Sequence, residues 1–280
     1  MKTLYVSDLD GTLLDSTRKL STYTLETING LIQNGMYFSY ATARSLVSAS
    51  LVTKGLTVNL PVITFNGTFI SNASTGEKLY SINFTKNQIN IIIGTLEKYS
   101  MFPLVYSFIN NEEKVSWIRE NENEGIKNYL DSRKGDKRLR PVSSKDELYS
   151  GEIFTVIFIG TKEELTDAYS FFVSTNEFTC YLQQELYRNE FWCEIMPKNA
   201  SKGNAVLALK EILNCGRLVT FGDEINDISM FEISDESYAV DNASDDLKKI
   251  ASGVIKSNDN NGVADWLKKN WQMPQIFRSR

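Results

Sequence analysis

The 280-residue chain contains no histidine. That absence removes Ser-His-Asp and Cys-His nucleophilic catalysis, histidine-ligated zinc and phosphohistidine chemistry. Cysteine is scarce too. Cys180, Cys193 and Cys215 are odd in number, far apart and without a C-x-x-C pair, which argues against a disulfide framework or a thiolate metal site. They read as buried, reduced thiols. No apolar run approaches the ~18–20 residues of a membrane span, and Asp8 interrupts any signal-like start. A cytoplasmic protein with no membrane partner is expected. At a net charge of −5, the chain has no basic excess for neutralising a nucleic-acid backbone. Acid–base work is left to carboxylates, lysine, tyrosine or metal-bound water.

What is present is the composition of a soluble globular protein, 42% hydrophobic and 23% charged, so the chain can build one large domain or two ordinary ones. Strand and helix alternate in the first part. Strands are predicted at Leu4–Ser7, Tyr37–Ala41 and Pro61–Phe65, and helices at Ser21–Asn34 and Ser45–Lys54. Short links between such elements imply right-handed βαβ units and a parallel sheet. A hairpin follows around Thr75-Gly76, then a mixed stretch in which the charged segment Asn110–Glu124 reads as an exposed helix. After Pro197 the α/β rhythm returns, with a helix at Lys202–Ile212 and a strand at Leu218–Phe221. The expected architecture is α/β: a parallel-sheet core formed by residues 1–83 and 189–280, with an α+β domain, 84–188, inserted in it.

Ligands of open parallel sheets bind outside the carboxyl ends of the strands, so the residues following each strand matter most. They are Asp8 and Asp10 in SDLDGTLLD, Thr42 with Arg44, Asn66 with Gly67, and Asp223, Asn226 and Asp227 in GDEIND; Lys202 opens a later helix. Two carboxylates one residue apart on an extended segment face the same side and repel unless a cation sits between them or one is protonated. Asp8 and Asp223 offer the oxygen ligands that Mg²⁺ prefers. Thr42, Lys202 and loop backbone N–H groups (Leu9, Gly11, Thr12, Ala43) would hold phosphoryl oxygens. With its charge neutralised, Asp8 can attack phosphorus, and Asp10 can serve as acid and then base.

SDLDGTLLD matches the DxDGT signature, and the chain resembles the haloacid-dehalogenase-like hydrolases. YATARS, ITFNGTFI, EIMPKNASKGNAVLAL, VTFGDEINDISM, DNASDDLKKIA and SNDNNGVADWL are similar, in order, to segments of its Cof-type phosphatase branch, whose members carry a large α/β cap. The resemblance implies a Rossmann-like core with a substrate-specificity cap. It also implies a Mg²⁺-dependent phosphatase acting on a small phosphorylated metabolite, sugar phosphates first. Asp8 becomes the nucleophile and Asp10 the general acid/base, with Asp10 also a metal ligand through its backbone carbonyl. Thr42 and Lys202 orient the phosphoryl group, Asp223 ligates Mg²⁺, Asp227 supports the metal site, and Asn226 contacts phosphate or Lys202. A phosphomutase and a non-catalytic phosphometabolite-binding protein are the alternatives on the same fold.

Three positions depart from the family pattern: Ala43, Glu224 and Asp241 each stand where glycine is usual. Glu224 either alters metal affinity or points to solvent. Asn66-Gly67 suits either a substrate contact or a tight turn. Arg44 could touch substrate or cap, or pair with a carboxylate. The basic run from Arg133 to Arg140 is either an anion contact or a solvated face. Trp271, Met273 and Phe277 are expected to pack back on the core, and the protein to be a monomer or weak homodimer.

Overall fold

The computed structural model describes residues 2–184 and 189–272. Met273 and Phe277, and residue 188 at the expected domain edge, lie outside the described residues. The chain divides into two compact units, Met1–Ser81 with Ser201–Arg280, and Ile82–Ala200.

In chain order the first unit opens with β1 (Thr3–Ser7), β2 (Tyr37–Tyr40), β3 (Pro61–Thr64), β4 (Phe69–Asn72) and β5 (Lys78–Ser81). The second unit contributes β6 (Leu104–Ile109), β7 (Glu112–Ile118), β8 (Leu139–Val142), β9 (Glu152–Gly160), β10 (Phe178–Gln184) and β11 (Phe191–Pro197). The chain then returns to the first unit through β12 (Arg217–Gly222), β13 (Glu236–Val240) and β14 (Gly253–Ile255).

The first unit is a parallel sheet in the order β14-β13-β12-β1-β2. Leu4, Val6, Phe38, Leu218 and Phe221 are fully buried in its core, as near-continuous apolar strands covered on both faces should be. Helix Thr22–Gln33 packs on helix Gly262–Asn270, and helix Lys202–Ile212 on Ile228–Phe231. Ser21 and Ser45 cap their helices by accepting from the backbone N–H groups of Thr24 and Ser48. A parallel bridge from Ala41 to Ile63 ties β2 to the antiparallel β3-β4-β5 sheet. Trp271 packs against this core.

The inserted unit is a six-stranded sheet in the order β10-β11-β9-β6-β7-β8, antiparallel except for β7 with β8. Its core holds Val156, Phe158, Phe172 and Ile195. Capping boxes start helices Lys86–Tyr99 and Lys162–Thr175, through Thr85 with Gln88 and Thr161 with Glu164.

Two expectations need correction. Glu112–Ile118 is strand, not exposed helix. Asn110 and Asn111, with φ of 51° and 64°, form the left-handed turn that folds β7 back on β6, and Val115 and Trp117 are buried. The domain edge also moves. β11 pairs with β9 and β10, so residues 191–197, assigned to the core from sequence, belong to the inserted unit. The basic run is engaged locally: Arg138 pairs with Asp136 and Glu113, Arg140 bonds Ser116 and the Glu147 carbonyl, and Arg133 stacks over Tyr129.

Candidate active site

The carboxyl ends of β1, β2 and β12 lie side by side because Ser7 is in register with both Phe221 and Tyr40. One residue past β1, the backbone N–H of Asp8 donates to the Phe221 carbonyl at 2.9 Å, continuing the ladder and fixing where its side chain emerges. Past β12, Gly222 leads into Asp223 and a tight turn through Asp227. Gly222 has no room for a side chain, since a Cβ would stand 2.5 Å from Asp227 Oδ2.

Lys202, the first residue of its helix, is fully buried. Its Nζ donates to Asp8 Oδ1 at 2.6 Å and to Asp227 Oδ1 at 2.7 Å. A helix N-terminus disfavours a cation, so these two carboxylates are what hold it there. Asp227 Oδ2 accepts the backbone N–H groups of Asp223 and Glu224 at 2.9 and 3.2 Å. Both Asp227 oxygens are thus committed, which makes it a support for the cluster. Asp223 Oδ1 accepts from Thr12 Oγ1 at 2.9 Å.

Carboxylate oxygens of Asp8, Asp223 and Asp227 all lie within 4.8 Å of one another. Three buried carboxylates face one ammonium. Burial pushes Asp8 up to about 7, against the pull of Lys202 and with further push from Asp227 and Asp10. Burial, then Asp8 and Asp227, hold Asp223 well above the usual carboxylate range. Burial alone would lower Lys202, but Asp227 and Asp8 outweigh it and keep it charged. The excess negative charge and the all-oxygen donor set fit a hard divalent cation, with Asp8 and Asp223 as its ligands.

Asp10 stands apart from this trio. Its carboxylate accepts from Arg44 Nε and Nη2, both at 2.6 Å, so Arg44 pairs with a carboxylate. Thr42 follows β2, buried, and its Oγ1 accepts the Arg44 backbone N–H at 3.2 Å. Ala43 is exposed. Leu9 and Thr12 are buried in the turn after Asp8. Gly11 lies there at φ +76°, where a Cβ would stand 2.1 Å from Asp223 Oδ2. Asn66 adopts φ 51° and its Oδ1 accepts from Asn226 Nδ2 at 3.0 Å. Gly67 at φ +96° abuts the Ser201 carbonyl, 2.0 Å from where a Cβ would be, so the pair forms a tight turn against the start of the lysine helix. Glu224 and Asp241 are exposed, so Glu224 takes the solvent-facing alternative.

Asn242 was missed. Its Nδ2 donates to the Gly11 carbonyl at 2.8 Å, and its Oδ1 accepts the Asn258 N–H at 3.0 Å, bracing the loop that carries Asp8 and Asp10. The signal was available: Asn242 follows β13 at the same sheet edge.

A doubly wound sheet thus carries clustered carboxylates and a buried lysine at its carboxyl edge. The haloacid dehalogenase-like hydrolase family model matches residues 5–267, and the chain belongs to that family. It is 25% identical to the 5-amino-6-(5-phospho-D-ribitylamino)uracil phosphatase YitU of Bacillus subtilis, over 96% of this chain and 98% of that protein. A second such phosphatase of B. subtilis, YwtE, is also 25% identical, over 92% and 94%. The crystal structure of TM0651 from Thermotoga maritima superposes with a TM-score of 0.79 at 25% identity, covering 99% of this chain and all of that one. The chain is a phosphatase of this family. Among the described residues no helix is long and apolar enough to cross a membrane.

Proposed function

We propose that the protein is a Mg²⁺-dependent phosphomonoesterase that hydrolyses small phosphorylated metabolites through a phosphoaspartate on Asp8. The observation that carries this reading is Asp8 itself: a buried carboxylate at the end of the central strand, with Oδ1 held by Lys202 and no hydrogen bond to Oδ2 among the described residues. Phosphorylated sugars and sugar alcohols come first as substrates. The B. subtilis relatives are named for a phosphate on a ribityl chain, which supports that order.

Lys202 offsets the charge of Asp8 and leaves its other oxygen to approach phosphorus. Asp8, Asp223 and the Asp10 backbone carbonyl, with Asp227 in support, would hold Mg²⁺, which when bound would supply the further positive charge that a dianionic phosphoryl group requires. Asp8 forms a bond to phosphorus as the ester P–O bond breaks, and Asp10 protonates the leaving oxygen. Asp10 then takes a proton from water as that water attacks the phosphoaspartate, releasing phosphate and restoring Asp8. Thr42 and the N–H groups of Leu9, Gly11, Thr12 and Ala43 hold phosphoryl oxygens, and Asn226, held by Asn66 beside Gly67, contacts the phosphate with them. The inserted unit serves as a cap that selects substrate and limits water.

The test is phosphate release from an aryl phosphate and a panel of sugar phosphates, with Mg²⁺, with EDTA, and with Asp8→Asn. Turnover should need both Mg²⁺ and Asp8. No metal-dependent turnover in the wild type, or full activity in Asp8→Asn, refutes the reading.

A further inference from the structure

Arg44 makes a more specific arrangement than a surface ion pair. Both Asp10 oxygens accept from its fork, Nε and Nη2 each at 2.6 Å. The third nitrogen, Nη1, donates to Ser48 Oγ at 3.0 Å. Its backbone is pinned on both sides: the N–H donates to Thr42 Oγ1 at 3.2 Å, and the carbonyl accepts the Phe65 N–H at 3.0 Å. The side chains are largely sheltered, 18% exposed for Arg44 and 33% for Asp10. Isolated, exposed ion pairs add little. A planar fork anchored at its far end and at its backbone fixes the orientation of the carboxylate it holds.

We propose that Arg44 is the positioning residue for Asp10, and that without its fork Asp10 cannot be aimed at the leaving oxygen or at the attacking water. The proposal rests on the phosphatase reading above. A carboxylate offers about four acceptor sites, so the two used by Arg44 leave others for the proton being moved. Lysine could supply the charge but not the two parallel bonds. Arg44 is thereby assigned to the orientation of the acid/base group and not to binding the substrate.

A double-mutant cycle tests this, with an alkyl phosphate, whose leaving oxygen needs a proton, beside an aryl phosphate, which needs it less. Arg44→Met should lower kcat for the alkyl ester about 10- to 100-fold, the range for a misplaced catalytic group, with KM little changed and a smaller loss on the aryl ester. In an Asp10→Ala background the same change should cost less than about 2-fold. Arg44→Lys should not restore kcat. Equal losses in both backgrounds, a loss confined to KM, or rescue by lysine would each overturn the proposal.

A second measurement does not depend on turnover. In the wild type the Arg44 Nε–H should give an exchange-protected NMR signal that disappears in Asp10→Ala; a signal unchanged by that substitution also overturns the proposal. If the wild type hydrolyses neither ester while the signal behaves as expected, the phosphatase reading falls and takes the catalytic role of Arg44 with it, and the clamp alone stands. Thermal melts of each variant exclude misfolding as the cause.

Discussion

Metal-free protein should be more stable in mild acid than at neutral pH, because the site closes three carboxylates around a single ammonium. Asp8 rises from 3.8 to about 7 in the folded chain, chiefly through burial. The native state therefore holds that proton more tightly than the unfolded chain. The stability it confers is fully present below the unfolded value and is lost as pH rises through the window from about 4 to about 7. At 1.36 kcal/mol per pH unit the loss is on the order of 4 kcal/mol, and Asp223, also raised, adds with the same sign. At roughly 2–4 °C per kcal/mol for a unit of this size, the melting temperature in EDTA should fall by roughly 10 °C across that window. Mg²⁺ needs the carboxylates unprotonated, so its effect should run the other way. At a concentration 100-fold above Kd it should add ~2.7 kcal/mol at pH 8 and far less at pH 5. Circular-dichroism melts from pH 4.5 to 8, with EDTA and with Mg²⁺, measure both. Asp8→Asn should flatten the EDTA curve and gain stability at pH 8. A metal-free melting temperature that rises from pH 5 to 8, or a Mg²⁺ shift equal at both, would refute the electrostatic account of the cluster.

Three other substitutions probe separate parts of the structure. Lys202→Met leaves Asp8 and Asp227 buried without their ammonium, and should cost about 3–5 kcal/mol in urea unfolding at pH 8 in EDTA, with partial recovery at pH 5 as protons replace the lost charge. Gly11→Ala would drive a Cβ to within 2.1 Å of Asp223 Oδ2 from a φ of +76°; the displaced carboxylate should abolish most of the Mg²⁺-induced melting shift. Phe172→Ala removes a fully buried ring packed against Phe158 and Phe178. It should cost about 3–5 kcal/mol in the inserted unit, seen as an earlier unfolding transition, while the Mg²⁺ shift of the other unit persists.

The candidate site was legible where a polar residue follows an apolar strand, because strand direction and the carboxyl-edge rule do most of the placing. Asp8 after Leu4–Ser7, Thr42 after Tyr37–Tyr40 and Asp223 after Arg217–Gly222 needed only that rule. Partners of an arginine are set by its long side chain, which reaches whatever carboxylate the tertiary fold brings near. The sequence therefore left Arg44 between three readings until its bond to Asp10, 34 positions away, was seen. Asn242 supplies no charge and bonds a backbone carbonyl, so its type carried little signal apart from its place after β13. In Glu112–Ile118 the charged residues suggested a helix, but the Asn110-Asn111 turn imposed a hairpin. A local turn of fixed handedness outweighed composition there. β11 shows the limit for domain edges: its partners β9 and β10 are chosen by register, which a linear boundary does not reveal.

The charged groups of the cluster come from three stretches far apart in the chain, around positions 8, 202 and 223–227, and none can meet another until the strands are in register. The Asp8 N–H bond to the Phe221 carbonyl is both a rung of the parallel ladder and the contact that brings Asp8 beside the Asp223 loop. Cation binding at this site would therefore be coupled to closure of the β1–β12 pair, and a metal added to the unfolded chain would have no comparable oxygen cage to bind. The coupling also explains how repelling carboxylates persist in a stable fold. Apolar burial along β1 and β12 holds the sheet together against the repulsion, Lys202 offsets part of it at all working pH values, and protons offset the remainder, as a divalent cation would. Weakening the sheet at Val6 or Phe221, outside the charged cluster, should consequently lower apparent Mg²⁺ affinity in proportion to the fraction unfolded, whereas an exposed substitution such as Ala43→Gly should leave that affinity unchanged.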